Sequence, residues 1–152
     1  MNNVLIVGAG NMGEAMLKGW LKANNMLKQV YVREPDPSNW LKKVHNEKKI
    51  LLNPSNIIGK IDVGIFAVKP QVVENILNTL REKLTSETTI ISIVAGYSTK
   101  DIRNYIGKAP KLIRTMPNTP AAIGKGMTAI FSDSPLEPVS YTHLTLPTSD
   151  LV

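Results

Sequence analysis

The 152-residue sequence has no cysteine, few aromatic residues and no long apolar run, and each of these absences excludes a class of protein. Without cysteine, there is no disulfide framework, thiolate zinc site or cysteine nucleophile. No apolar run approaches the ~18 residues that a membrane span requires. The first β-type run, at 4–7, comes without a basic leader before it, so the sequence predicts a cytoplasmic protein with no membrane partner.

Positive charge is in moderate excess but is spread along the chain. There are 18 lysines and arginines against 12 acidic residues, a net charge of +6, without a continuous basic block. Aromatic residues make up 5% and are not interleaved with the basic ones, which argues against nucleic-acid binding. The charge balance suits a ligand that carries several phosphates. His45 and His143 have no carboxylate or second histidine at ligand spacing, so no metal site is expected.

Short β-branched and aliphatic runs alternate with stretches of helical spacing, in a chain of ordinary globular composition. Ser38 and Ser98 stand where helix N-caps are needed, and Pro70 suits the first turn of a helix. The pattern predicts strands at 4–7, 29–33, 50–52, 62–68, 88–94, 111–115 and 127–131, and helices at 11–23, 38–48, 70–84 and 98–106. This alternation predicts an α/β fold, a doubly wound, mostly parallel sheet with helices on both faces.

The last part of the sequence differs in composition from the rest. Beyond Lys125 there is no lysine or arginine, and Pro135, Pro138 and Pro147 interrupt a stretch rich in serine, threonine and leucine. This stretch has neither helical nor strand period. We therefore predict that residues 1–133 form the domain and that 134–152 are disordered and lie outside the core.

A glycine-rich turn follows the first predicted strand and opens the first predicted helix. Its sequence is Gly8-Ala9-Gly10-Asn11-Met12-Gly13, which fits G-x-G-x-x-G. The first glycine makes the tight turn, the second lets a pyrophosphate approach the backbone, and the third allows close packing of helix on strand. Free N–H groups at the helix start favour negative charge. The segment predicts a Rossmann-type site in which these six residues bind a dinucleotide.

Cofactor choice depends on the residue about 20 positions further on, where an acidic side chain typically binds the adenine ribose of NAD. Arg33 stands there and can pair with a 2′-phosphate, so the sequence favours NADPH, with NADH as an alternative. Glu34 follows immediately. The opposite arrangement, with Glu34 turned inward and Arg33 outward, stays open at this point.

Three further segments carry a resemblance to a known family. They are Ala67-Val68-Lys69-Pro70-Gln71, Ile93-Val94-Ala95-Gly96, and Arg114 to Ala121 followed by Gly124 to Ala129. In this order, and together with the glycine turn, they resemble pyrroline-5-carboxylate reductase over about Met1 to Phe131. The resemblance implies NADPH-dependent reduction of 1-pyrroline-5-carboxylate to L-proline, an oxidoreductase reaction of proline biosynthesis.

The resemblance also implies which residues form the site. The implied cofactor-binding residues are Asn53, Ala67, Val68, Lys69, Pro70, Val94, Ala95 and Gly96. Asn118 and Thr119, stiffened by flanking prolines, are the substrate-proximal candidates, although they could equally satisfy backbone groups of their own turn. Lys69 lies near the cofactor in this interpretation and is not the acid catalyst; no catalytic residue is assigned.

Members of this family continue into a helical domain that mediates dimerisation. The resemblance therefore implies a truncated cofactor-binding half with a non-native tail, inactive alone, from a homo-oligomeric parent. Two alternatives stay open: a dinucleotide-binding module without catalysis of its own, and another Rossmann reductase of the hydroxyacid dehydrogenase type.

Overall fold

The computed structural model describes residues 2–23, 27–117 and 128–133. Asn118, Thr119, His143 and the tail at 134–152 lie outside this part of the chain, so what the sequence predicts for them stays a prediction. Within the described ranges, strands and helices alternate as the sequence predicts.

Those ranges hold seven strands and four α-helices. The strands are β1 (Asn2–Val7), β2 (Leu27–Arg33), β3 (Leu51–Leu52), β4 (Val63–Phe66), β5 (Thr89–Ser92), β6 (Lys111–Pro117) and β7 (Thr128–Ser132). The α-helices are α1 (Asn11–Ala23), α2 (Asn39–Asn46), α3 (Val73–Leu80) and α4 (Thr99–Ile106). Two single 3-10 turns, at Pro70–Val72 and Arg81–Lys83, flank α3.

The strands form one sheet in the order β3-β2-β1-β4-β5-β6-β7. Neighbouring strands from β3 to β6 are parallel, and β7 is antiparallel to β6. The predicted doubly wound, mostly parallel sheet is therefore confirmed. The order reverses at β1, which lies between β2 and β4, and in such sheets ligands bind outside the carboxyl ends of the strands at this point.

Side chains along the central strands alternate between two buried apolar layers. In β1, Leu5 and Val7 join the layer that includes residues of α3 and α4, whereas Val4 and Ile6 join the layer that includes residues of α1 and α2. Because both faces of a parallel sheet are covered, its strands are continuously aliphatic instead of alternating with polar residues. The sheet is thus a rigid support for the loops at its edge.

The two predicted N-caps are confirmed. The Ser38 hydroxyl accepts a hydrogen bond from the Leu41 N–H at 3.1 Å, and the Ser98 hydroxyl accepts one from the Asp101 N–H at 3.2 Å. The Asp101 carboxylate accepts in return from the Ser98 N–H at 2.9 Å, which completes a capping box.

Some predicted boundaries differ from the observed ones. The strands predicted at 62–68 and 88–94 end earlier, at Phe66 and Ser92, and the residues that follow form loops. The helix predicted at 70–84 is instead α3 between two 3-10 turns. Pro70 has no N–H to donate, and 3-10 turns are common at helix ends.

Candidate functional site

The carboxyl ends of the strands bring the predicted site segments together at one edge of the sheet. The Gly8 N–H donates to the Arg33 carbonyl at 2.9 Å, and the Ala67 N–H donates to the Val7 carbonyl at 2.8 Å. The Ile93 N–H donates to the Phe66 carbonyl at 3.0 Å, so the loop after β5 begins beside the end of β4. Segments 8–13, 67–70 and 94–96 and the end of β2 therefore lie at the same edge of the sheet, although they are far apart in sequence.

Two glycines of the loop at 8–13 are required by packing. Gly8 has a φ of 85°, and a Cβ there would lie 2.5 Å from the Ala67 carbonyl oxygen. A Cβ on Gly13 would collide with the Gly8 carbonyl oxygen. These positions allow β1, the loop after β4 and α1 to approach closely, as the turn requires.

Gly10 differs from both, because it faces open space. It is exposed, and an added Cβ would meet no neighbouring heavy atom within 4 Å. Its carbonyl accepts from the Glu14 N–H at 2.8 Å, so the first turn of α1 starts here. The N–H groups of a first helical turn have no partner inside the helix and attract anions. The space at Gly10 therefore fits a phosphate group.

Glu34, and not Arg33, provides the side chain that contacts the glycine loop. Its carboxylate oxygen Oε2 accepts a hydrogen bond from the Ala9 N–H at 2.7 Å, and Oε1 accepts from the Asp36 N–H at 3.1 Å. The arrangement with Glu34 turned inward is the one that the structure contains. Arg33 is half-buried, joins the loop through its backbone carbonyl, and makes no ion pair with a described residue.

Asn53 lies at the same edge and is bonded to Glu34 by two hydrogen bonds. Its Oδ1 accepts from the Glu34 N–H at 2.8 Å, and its Nδ2 donates to the Glu34 carbonyl at 2.7 Å. Asn53 has a positive φ of 46°, and its own N–H donates to the Val32 carbonyl at 2.7 Å. The amide thus positions Glu34, and the predicted cofactor contact of Asn53 stays a prediction.

The loops after β4 and β5 contain both buried and exposed residues. Lys69 is exposed and has an extended backbone before Pro70. Val94 is buried, whereas Ala95 and Gly96 are exposed. Next to this loop lies a cavity of about 220 Å³, lined by Gly96, Tyr97, Asp101, Asn104 and Tyr105.

One polar cluster beside the site was not predicted. Glu14, in the first turn of α1, accepts from the Ser38 hydroxyl at 2.5 Å and pairs with Lys18. Burial raises the pKa of Glu14, but the hydrogen bonds from Lys18 and Ser38 outweigh it and hold this pKa below its usual value. The i, i+4 spacing of Glu14 and Lys18 is the sequence signal that could have indicated the ion pair. The cluster joins the start of α1 to the start of α2.

The structure gives no sign of a metal site or a membrane span in the part of the chain that it describes. There, no group of three or more histidine, aspartate or glutamate side chains could hold a metal ion. No helix in the same ranges is both long and apolar enough to cross a bilayer. The Nδ1 of His45 lies 3.2 Å from the Ile50 carbonyl oxygen, a local contact with the backbone before β3.

Comparisons with known proteins find relatives of similar sequence and fold. The pyrroline-5-carboxylate reductase of Haemophilus influenzae is 32% identical over 132 residues, which cover 85% of this chain and 48% of that protein. The pyrroline-5-carboxylate reductase of Escherichia coli is 30% identical over 135 residues, 87% of this chain and 50% of that protein. The chain spans about half the length of the curated relatives it matches.

Solved structures show the same architecture. A pyrroline-5-carboxylate reductase from Coxiella burnetii superposes with a TM-score of 0.80 at 25% identity, covering 99% of this chain and 57% of that one. A pyrroline carboxylate reductase from Plasmodium falciparum, solved with NADP bound, superposes with a TM-score of 0.73 at 22% identity. It covers 97% of this chain and 55% of that one, and at this identity it supports the fold alone.

A family model matches the first part of the chain. The model described as "NADP oxidoreductase coenzyme F420-dependent" matches residues 3–96, a segment that contains the glycine loop, Glu34 and the loops after β4 and β5. The similarity to pyrroline-5-carboxylate reductases that the motifs indicated is confirmed by the relatives above. With well over half of its length matched by the model, the chain belongs to the family of NADP oxidoreductases described as coenzyme F420-dependent.

Proposed function

We propose that this chain supplies the NAD(P)H-binding part of a pyrroline-5-carboxylate reductase, which reduces 1-pyrroline-5-carboxylate to L-proline. The observation that carries the proposal is the open position at Gly10, at the N-terminus of α1 and at the point where the strand order reverses. The family description favours NADPH, with NADH as an alternative.

The residues at this edge fit a dinucleotide. Backbone N–H groups at the start of α1 would bind the pyrophosphate, and the missing Cβ at Gly10 leaves room for its approach. Residues 67–70 and 94–96, at the carboxyl ends of β4 and β5, would border the nicotinamide half. When bound, NADPH supplies a hydride to the imine carbon of the substrate, and the imine nitrogen takes up a proton.

In this proposal, the substrate contacts the segment of the chain that follows β6. β6 is parallel to β5 and ends at Pro117, at the same edge of the sheet as the cofactor loops. This direction supports Asn118 and Thr119 as substrate-proximal residues in the proposal. Positioning an imine against a nicotinamide accounts for roughly 7–11 kcal/mol of barrier lowering in favourable reactions.

The proposal places part of the catalytic site outside this chain, because the chain spans about half the length of its relatives. We therefore expect dinucleotide binding without rapid imine reduction by the chain alone. A homo-oligomeric, cytoplasmic parent is part of the same proposal, and the dispersed positive charge supports no role for nucleic acid. A binding module without catalysis and a reductase of hydroxyacid dehydrogenase type are the competing functions.

The test uses two proteins. The first is the 152-residue chain, and the second fuses its residues 1–133 to the part of the Haemophilus influenzae reductase that this chain does not match. NADPH binding is measured by calorimetry, and NADPH oxidation by absorbance with 1-pyrroline-5-carboxylate. A β-hydroxyacid with NADP+ is the control substrate.

The proposal predicts NADPH binding by both proteins and imine reduction by the fusion. Equal turnover by the chain alone would show that the catalytic groups lie in this part. Oxidation of the hydroxyacid but not reduction of the imine would favour the dehydrogenase alternative. A folded chain that binds neither NADPH nor NADH would contradict the proposed function altogether.

A further inference from the structure

Arg114, in the middle of β6, carries an N–H group that the described part of the chain leaves without an acceptor. Its Nε atom is buried and has no hydrogen-bond partner. The side chain also takes part in none of the ion pairs between described residues. Because a guanidinium keeps its charge in proteins, a buried N–H without an acceptor costs free energy. A buried group of this kind requires a specific explanation.

The neighbouring arginine of α4 shows the opposite arrangement. The Nε and one Nη of Arg103 donate to the Asp133 carboxylate at 2.7 and 2.9 Å. Its other Nη donates to the carbonyls of Gly107 and Pro110 at 3.0 and 2.7 Å. The carboxylate that follows β7 is thus already bound by Arg103, and the acceptor for Arg114 has to come from another source.

Arg114 borders an exposed apolar surface on the last two strands of the sheet. Leu112 belongs to the buried layer of α3 and α4, and the alternation of a strand places Arg114 and Met116 on the same side. β7 pairs Phe131 with Arg114 and Ala129 with Met116, so these four side chains share one face. Met116 is 46% exposed, Phe131 is 58% exposed, and Ala129 is exposed as well. We call residues 114, 116, 129 and 131 the β6–β7 face.

We propose that the β6–β7 face docks the part of the reductase that this chain does not match, and that a carboxylate of that part binds Arg114. The inference rests on the proposed function, because it assumes the rest of such a reductase. The chain spans about half the length of its relatives, so the remaining part is as long as the chain itself. Exposed apolar side chains beside a cation without an acceptor fit an apolar partner surface that carries one carboxylate.

Charge disfavours a second copy of the chain as the occupant of this face. A two-fold dimer places the same surface on both subunits, so it would bring one Arg114 towards the other. The β6–β7 face contains no acidic residue that could separate the two guanidinium groups. Like charges in an interface act against that pairing. A partner surface with a carboxylate has no such repulsion.

The experiment compares Arg114→Met in two proteins, the 152-residue chain and the fusion with the unmatched part of the Haemophilus influenzae reductase. Methionine keeps an apolar stem and removes the cation. Arg103→Met is the matched control, because its carboxylate partner lies inside the chain, and Arg103→Lys replaces it if methionine prevents folding. Urea midpoints are measured by circular dichroism. NADPH oxidation with 1-pyrroline-5-carboxylate shows that the unsubstituted fusion is assembled, and sedimentation measures self-association.

The two proteins should respond differently to Arg114→Met. In the chain alone, we expect the urea midpoint to stay the same or rise by up to about 0.3 M, because a buried donor without an acceptor is removed. In the fusion, we expect it to fall by about 1 M, because the carboxylate of the docked part loses its cation. Arg103→Met should lower the midpoint in both proteins by similar amounts.

The same effect of Arg114→Met in both proteins would overturn the inference, and an active fusion would then leave the proposed function intact. Self-association of the chain that Arg114→Met abolishes would also overturn it, in favour of a second copy on this face. A folded fusion that does not reduce the imine would contradict the proposed function on which the inference rests.

Discussion

The two sides of the candidate site are built differently. On the β1 and β2 side, Glu34 and Asn53 hold the glycine loop and the end of β2 together by side-chain hydrogen bonds to the backbone. On the β4 and β5 side, Lys69 and Gly96 are exposed, and a cavity of about 220 Å³ adjoins the loop. The difference teaches that the fold itself preorganises the side on which the phosphates and adenosine are proposed to lie, whereas the proposed nicotinamide side is left for the ligand and other residues to complete.

On the β1 and β2 side, we expect the largest effect from Gly13→Ala. The new Cβ would collide with the Gly8 carbonyl oxygen, and backbone cannot yield as a flexible side chain can. We expect a loss of about 3 kcal/mol in the free energy of unfolding by urea. Gly10→Ala is the matched control and should change it by less than about 0.5 kcal/mol. Equal losses in the two variants would mean that the loop is not packed as described.

Asn53→Ala tests the bond between this residue and Glu34. It removes both amide hydrogen bonds to Glu34. It also leaves alanine, which adopts positive φ less readily than asparagine, at a φ of 46°. We expect a loss of about 2 kcal/mol by urea unfolding. Asn53→Gly relieves the backbone strain but still lacks the amide, so it should lose about 1 kcal/mol. If glycine fully restored stability, the amide bonds would contribute nothing.

On the β4 and β5 side, Lys69→Ala should leave the free energy of unfolding unchanged. The side chain is exposed and forms no ion pair with any residue of the described ranges. If Lys69 lies near the cofactor, its removal should weaken NADPH binding about threefold, the scale of an exposed charge. Lys83→Ala, in the turn after α3, removes an exposed charge elsewhere and should not affect binding. The same loss in both variants would indicate a general charge effect.

The smallest effect is expected from pH at Glu14. Its folded pKa lies below the usual value of 4.5, so its contribution to stability is present above that pH and is lost as pH falls through the folded pKa. The difference in unfolding free energy between the parent and Glu14→Gln should therefore shrink between pH 5 and about pH 3. Urea titrations at several pH values measure it. A difference that stays constant would show that the carboxylate charge is not involved.

Much of the fold could be predicted because its signals are local. The β-branched runs, the serine caps and the glycine spacing each specify a conformation within a few residues, and the caps at Ser38 and Ser98 are present as predicted. The break of the helix predicted at 70–84 is less predictable, because 3-10 turns at its ends keep nearly the same apolar spacing.

The inward side chain at the end of β2 could not be settled from sequence. Arg33 and Glu34 are adjacent, so which of them contacts the loop depends on the register of β2 against β1. The hydrogen bonds of Asn53 to Glu34 join residues 19 positions apart, and no local pattern indicates them. The pairing of β2 with β1 and the hydrogen bonds of Asn53 therefore determine which of the two side chains contacts the loop, a question that the sequence left open.

Gly10→Val tests the central claim most directly, that the open position in the glycine loop binds a dinucleotide. A Cβ at Gly10 would meet no neighbouring heavy atom within 4 Å, and a larger side chain would extend into the space that the phosphates would enter. We predict an unfolding free energy within about 0.5 kcal/mol of the parent and an NADPH affinity at least about a hundredfold weaker by calorimetry. Equal NADPH affinity in the two proteins would remove the loop from the site and contradict the account.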